Sequence, residues 1–220
     1  MFRVKICGIT NVDDALAAID AGADAIGLNF YAKSPRCVST DVAREIAAAV
    51  GDRALVVGVF VNESPTGMMG VATEVGLAAL QLHGDEPPEM LARLPDRPLI
   101  HAQRMGAAGL APIVADLAAC RAAGRAPDAV LVDAPAAPGQ YGGTGHTLAW
   151  HELASEAAAL GATPLILAGG LNAANVADAI RAVRPYGVDV ASGVESSPGK
   201  KDADLVRRFV AAAAAALADG

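Results

Sequence analysis

A chain of 220 residues with 53% hydrophobic content has enough material for one domain with a substantial core, expected over residues 1–220. Its net charge of −7, with basic residues scattered rather than clustered, argues against a nucleic-acid partner, yet one local pocket can still hold a small anion. The longest apolar run, residues 209–218, is too short to cross a membrane, and the first residues lead straight into a strand pattern instead of a signal sequence, so a cytoplasmic location is expected.

Strand-like runs are predicted at 4–7, 25–30, 55–61, 79–82, 99–102, 129–133, 165–168 and 188–191. Between them lie helical patterns. Val12, Leu16 and Ile19 form one apolar face, Val42, Ile46 and Val50 another, and Val176, Ile180 and Val183 a third. Leu205, Val206, Phe209 and Val210 give the last helix its stripe. Gly22, Gly51, Gly76, Gly124, Gly161 and Gly187 stand where a helix would stop and the next strand begin. The 54 residues from Gly22 to Gly76 and the 111 from Gly76 to Gly187 fit two and four units of about 27 residues each. Eight strand–helix units predict a closed (β/α)8 barrel, the TIM-barrel class. An open sheet would more often carry a G-x-G-x-x-G first turn, whereas here the turn reads Cys7-Gly8-Ile9-Thr10.

Barrel enzymes work at the C-terminal ends of their strands, which narrows the candidates in chain order. Cys7 ends the first strand near helix N-termini and is readable either as a base or as core packing. Cys37 and Cys120 read as packing, and three widely spaced cysteines without a C-x-x-C pair predict neither a disulfide framework nor a zinc motif. Arg36, in a second turn stiffened by Pro35, can present its guanidinium to a carboxylate through two parallel bonds. His83 and Gln81 are placed to line the mouth or to tie neighbouring loops, and His101 falls within the fifth strand as a structural residue. Four histidines without ligand spacing predict no metal. Asp133 ends the sixth strand after an apolar run, where a carboxyl can serve as a general acid or cap its loop. Gly169 and Gly170, then Ser192 and Gly193, form the last two turns, with Asn172 expected to cap the seventh helix. Free backbone N–H groups at those corners suit a phosphate.

The strand ends together resemble the phosphoribosylanthranilate isomerase family. The resemblance runs through 4–10, 27–30 with 34–36, 58–62, 80–86, Asp133 with 142–145, 168–172 and 189–195, and closes at 198–202. It implies an Amadori rearrangement of N-(5′-phosphoribosyl)anthranilate, a small-molecule phosphoribosyl substrate, in tryptophan biosynthesis. Cys7 would be the general base at C2′, Asp133 the general acid at the furanose oxygen, and Arg36 the holder of the anthranilate carboxylate. The glycine turns with Ser192 would hold the phosphate. With no redox step, no cofactor is implied. Departures from the family pattern are Ala191, His101 and the pair Ala149-Trp150. The rivals are the sugar-phosphate isomerase of the histidine pathway and a barrel that binds a sugar phosphate without turning it over. The stretches 106–109 and 139–145 are candidates to move over substrate, and both a homodimer and a monomer remain open.

Overall fold

A computed structural model describes residues 1–134 and 150–219. The 139–145 stretch, the 142–145 part of the resemblance and Ala149 therefore lie outside the described residues. Eight parallel strands close in sequence order: β1 Val4–Cys7, β2 Ala25–Asn29, β3 Leu55–Phe60, β4 Ala79–Leu82, β5 Leu99–Arg104, β6 Ala129–Asp133, β7 Leu165–Leu167 and β8 Gly187–Val190. Closure is made by β1 pairing with β8, Val4 opposite Val188 and Ile6 opposite Val190. Around the strands run α1 Val12–Asp20, α2 Thr40–Val50, α3 Pro65–Val75, α4 Pro88–Leu91, α5 Ala111–Ala122, α6 Trp150–Glu156, α7 Val176–Val183 and α8 Ala203–Ala218. The predicted fold class is the observed one.

Period-two alternation along each strand divides the core. Val4, Ile6, Val188 and Val190 belong to the larger cluster packed beneath the helices. Ala25, Val57, Ile100, Leu131 and Ile166 belong to a second, inner cluster with Phe2, which is 1% exposed. Lys5 and Cys7 take the inward positions of β1. The Lys5 ammonium sits 5.8 Å from the Phe2 ring centroid, with Cys7 above it at the strand end. Gly27 on the neighbouring strand leaves room for both: a Cβ there would stand 2.8 Å from Cys7 Sγ and 3.0 Å from Lys5 Cε.

Several local expectations change. The α1 stripe is rotated, with Ala15 and Ala18 fully buried and Leu16 only partly so. Gly187 does not end a helix. It begins β8, where a Cβ would meet the Phe2 carbonyl oxygen at 2.6 Å, and the left-handed residue closing α7 is Arg184, at φ 50°. Asn172 does not cap α7. Its side chain accepts from Ala174 N in a preceding turn, and Asn175 stands at the helix start. The fourth helix is a single turn. β5 runs two residues beyond the predicted 99–102, through Gln103 and Arg104. The eighth unit does not pass directly from strand to helix: a short 3-10 turn, Ser192–Val194, and a hairpin of β9 Glu195–Ser197 with β10 Lys200–Lys201 intervene. Next to the 106–109 turn, Leu110 N donates to Glu156 Oε2 at 2.6 Å.

Candidate active site

The C-terminal mouth of the barrel holds a cavity lined by Cys7, Arg36, His83, Asp133, Gly169, Gly170, Ser192 and Gly193. These eight sequence candidates thus meet in one place, whereas Gln81, also offered for the mouth, is not among the lining residues. Asn29, Ser34 and Asp189 line it too and were not singled out.

Cys7 is 9% exposed. Burial pushes its thiol above the ordinary value, because a thiolate there loses hydration, and the Lys5 ammonium beneath pulls only part of the shift back. Lys5 is wholly buried and donates to Asp189 Oδ1 at 2.7 Å. Burial opposes its charge, but the Asp189 carboxylate together with Cys7 outweighs that, and the ammonium is held above its ordinary range. Iodoacetamide alkylation of Cys7, followed by peptide mass mapping, is accordingly expected to be slow at pH 7. It should rise about tenfold per pH unit toward pH 9, because the reactive species is the thiolate. A rate already at its plateau at pH 7 would contradict the raised thiol.

Asp133 faces the cavity from β6, separated from β1 around the barrel by β7 and β8. Its Oδ1 accepts from Ala134 N at 2.8 Å, so the carboxyl does cap its own turn, while Oδ2 lies 3.3 Å from His83 Nε2. His83 Nδ1 is 3.2 Å from the Gln81 amide nitrogen. Gln81 is 0% exposed and sits within the barrel wall beneath the mouth. If Gln81 donates to Nδ1, the ring proton lies on Nε2, toward Asp133. The loop bearing His83 is set by Glu86, 4% exposed, which accepts from Asn62 N at 2.7 Å and Gly84 N at 2.8 Å.

Arg36 reaches the mouth across Gly8, whose φ of 74° and missing side chain make room: a Cβ there would stand 2.5 Å from Arg36 Cδ. Its Nε and Nη2 form a two-pronged bond to Glu195 at 2.8 and 2.7 Å, leaving the Nη1–Nη2 edge for a further carboxylate. Lys201 Nζ adds 2.9 Å to Glu195 Oε1 and 3.0 Å to the Ala191 carbonyl. Burial works against the charge on Glu195, yet the hydrogen bonds from Arg36 and Lys201 prevail and hold its carboxyl below the ordinary value. Glu195 and Lys201 carry no catalytic signature in the sequence. The glycine corners are shaped by crowding: at Gly169, φ 86°, a Cβ would stand 2.5 Å from Ala134 N, and at Gly193 it would run into the Leu171 carbonyl oxygen. Of the other cysteines, Cys120 is buried as expected, while Cys37 is exposed.

Fold and cavity together define a (β/α)8-barrel enzyme with its polar groups gathered at the C-terminal mouth. The family profile for N-(5′-phosphoribosyl)anthranilate (PRA) isomerase matches residues 4–212. The chain is 47% identical over 211 residues to the N-(5′-phosphoribosyl)anthranilate isomerase of Myxococcus xanthus, covering 96% of this chain and 95% of that one. The crystal structure of phosphoribosyl anthranilate isomerase from Thermotoga maritima superposes with a TM-score of 0.86 at 39% identity, covering 98% and 100% of the two chains. A crystal structure of the isomerase in complex with reduced 1-(o-carboxyphenylamino)-1-deoxyribulose 5-phosphate superposes at 0.83 with 37% identity over the same shares. The chain belongs to the N-(5′-phosphoribosyl)anthranilate isomerase family.

Proposed function

We propose that this chain converts N-(5′-phosphoribosyl)anthranilate to 1-(2-carboxyphenylamino)-1-deoxyribulose 5-phosphate, a cytoplasmic step of tryptophan biosynthesis. The observation that carries the reading is the meeting of Cys7 and Asp133 in one cavity from β1 and β6. Asp133 gives a proton to the furanose ring oxygen as the C1′–O bond breaks, and the aniline nitrogen lone pair forms the iminium. The Cys7 thiolate takes the C2′ proton, the C–H electrons become the C1′–C2′ double bond, and the nitrogen is neutralised. The resulting enol tautomerises, C1′ gaining a proton and the C2′ hydroxyl losing one, so reactant and product are isomers. Each positioned acid or base contributes about 10²–10⁴-fold.

Binding supplies orientation. The free edge of Arg36 takes the anthranilate carboxylate, with Glu195 holding the guanidinium in place. Backbone at Gly169, Gly170, Ser192 and Gly193 takes the phosphate, since glycine corners let N–H groups approach an anion closely. His83 lies beside Asp133 and contacts the substrate near the acid. The liganded relative, bound to a reduced form of the product, supports the same substrate class for this chain. Family membership favours this reading over the histidine-pathway isomerase and over a barrel that binds without turnover.

The deciding experiment is the incubation of purified protein with freshly generated phosphoribosylanthranilate, followed by the loss of anthranilate-type fluorescence. No loss above the non-enzymatic background would overturn the proposal, as would failure to rescue a tryptophan-requiring strain lacking this step. Arg36→Ala is expected to raise KM by about ten- to a hundredfold, the loss of a charge-assisted bond of about 1.5–3 kcal/mol, with a smaller effect on kcat. An unchanged KM would remove Arg36 from the carboxylate.

A further inference from the structure

Away from the mouth, on the outer wall of the barrel, three possible metal ligands meet between β5 and α5. Ile100 and Ala102 belong to the inner cluster, so the intervening His101, 1% exposed, turns outward toward α5. Asp116 and Cys120 are four residues apart on that helix and share the face it presents. Asp116 Oδ2 lies 3.2 Å from His101 Nδ1 and 3.7 Å from Cys120 Sγ, and ligand atoms of the three residues all fall within 4.8 Å of one another.

We propose that His101, Asp116 and Cys120 form a site for one divalent ion of the zinc class, with water as the fourth ligand, binding α5 to the barrel wall independently of the active site. Bonds of about 2.0–2.3 Å in a tetrahedron place nitrogen and oxygen about 3.3 Å apart, and sulfur and oxygen about 3.5 Å apart. The spacings of 3.2 and 3.7 Å meet that geometry with little movement. The remaining edge, from imidazole to sulfur, is at most 4.8 Å and closes by side-chain rotation. One imidazole, one carboxylate and one thiolate suit zinc and disfavour magnesium or calcium, which take oxygen ligands. Gln103 supplies an outer partner to the carboxylate, its amide nitrogen donating to Asp116 Oδ2 at 3.0 Å. The Asp116 side chain retains 23% exposure, which gives both a path for the ion and room for water.

The Cys120 thiol is pushed up to about 12, first by burial and then by the negative charges of Asp116 and Glu89. Ion uptake displaces the thiol proton to solvent as the metal–sulfur bond forms. In the sequence the three ligands carry no recognised metal spacing, because one comes from a strand and two from the following helix. Only the packing of that helix on that strand brings them together.

The test uses the full-length, reduced protein, freed of metal with a chelator and then titrated with zinc chloride. One equivalent of zinc per chain is expected to survive desalting, and a hundredfold excess over Kd should raise Tm by about 5–10 °C. Cobalt(II) in place of zinc should give a thiolate-to-metal charge-transfer band. Cys120→Ser and Asp116→Asn should each weaken zinc binding by more than about 100-fold, beyond the loss of an outer partner. Cys7→Ser and Cys37→Ser should keep both stoichiometry and band. Isomerase turnover of Cys120→Ser should match the parent, since that residue lies outside the mouth. Less than one retained equivalent in the parent protein overturns the proposal, and so does a thiolate band that persists in Cys120→Ser or vanishes in Cys7→Ser. If Cys120→Ser does not fold, parental stoichiometry and Asp116→Asn decide the matter.

Discussion

Asp133→Asn and Cys7→Ala are each expected to lower kcat by about 10²–10⁴-fold while leaving the folded chain and its stability nearly unchanged. An amide at 133 keeps the shape and still accepts from Ala134 N, so the turn it caps survives, but it has no carboxyl proton for the furanose oxygen. At Cys7 the side chain packs near Gly27 and above Lys5, and alanine there loses only a sulfur at the edge of the cavity. Steady-state kinetics at saturating substrate, with circular dichroism as the check on folding, read both effects. Because ring opening precedes removal of the C2′ proton, the double variant should be far less impaired than the product of the two single losses, as for groups that act in one sequence. Near-parental kcat in both single variants would dismiss the acid–base assignment even if the isomerase activity itself stood.

Lys5→Met is expected to cost about 3–5 kcal/mol of folding stability. Lys5 is wholly buried, and its partner Asp189 has a side chain only 8% exposed, so the substitution leaves a carboxylate with little water and no counter-charge. Because Asp189 also lines the cavity, solvent relieves part of the cost, which places the loss toward the lower end of that range. Lys5→Met combined with Asp189→Leu should recover most of the stability, since an apolar pair of similar volume leaves no uncompensated charge. Urea unfolding of the four proteins of this cycle at pH 7 measures the coupling. A second readout separates this charge from mere packing: removing the ammonium beneath Cys7 should raise its thiol further and slow its alkylation at a given pH. A loss below about 1 kcal/mol in Lys5→Met would mean that the pair is better solvated than its burial indicates.

The chain order of elements is a local property, and the sequence was enough for it; strand ends came within one or two residues, with β5 running on through Gln103 and Arg104. Alternation of period two and period near four, punctuated by glycines, counts eight units, and a parallel barrel then puts the residue at the end of each strand at the mouth. That is why Cys7, Arg36, His83, Asp133 and the two glycine corners are legible in the sequence, and they line one cavity. Tertiary structure decided the partnerships. Lys5 and Asp189 are 184 residues apart, and Arg36 and Glu195 are 159 apart; both pairs exist only because β8 closes against β1 and the hairpin after β8 returns across the mouth. It also decided details that local pattern could not resolve: the alanine face of α1, the single turn of α4, Asn175 rather than Asn172 at the start of α7, and the outward turn of His101. The physical reason is common to all of them. Backbone periodicity depends on neighbours along the chain, whereas the charge, burial and contacts of a side chain depend on whatever distant segment is packed against it.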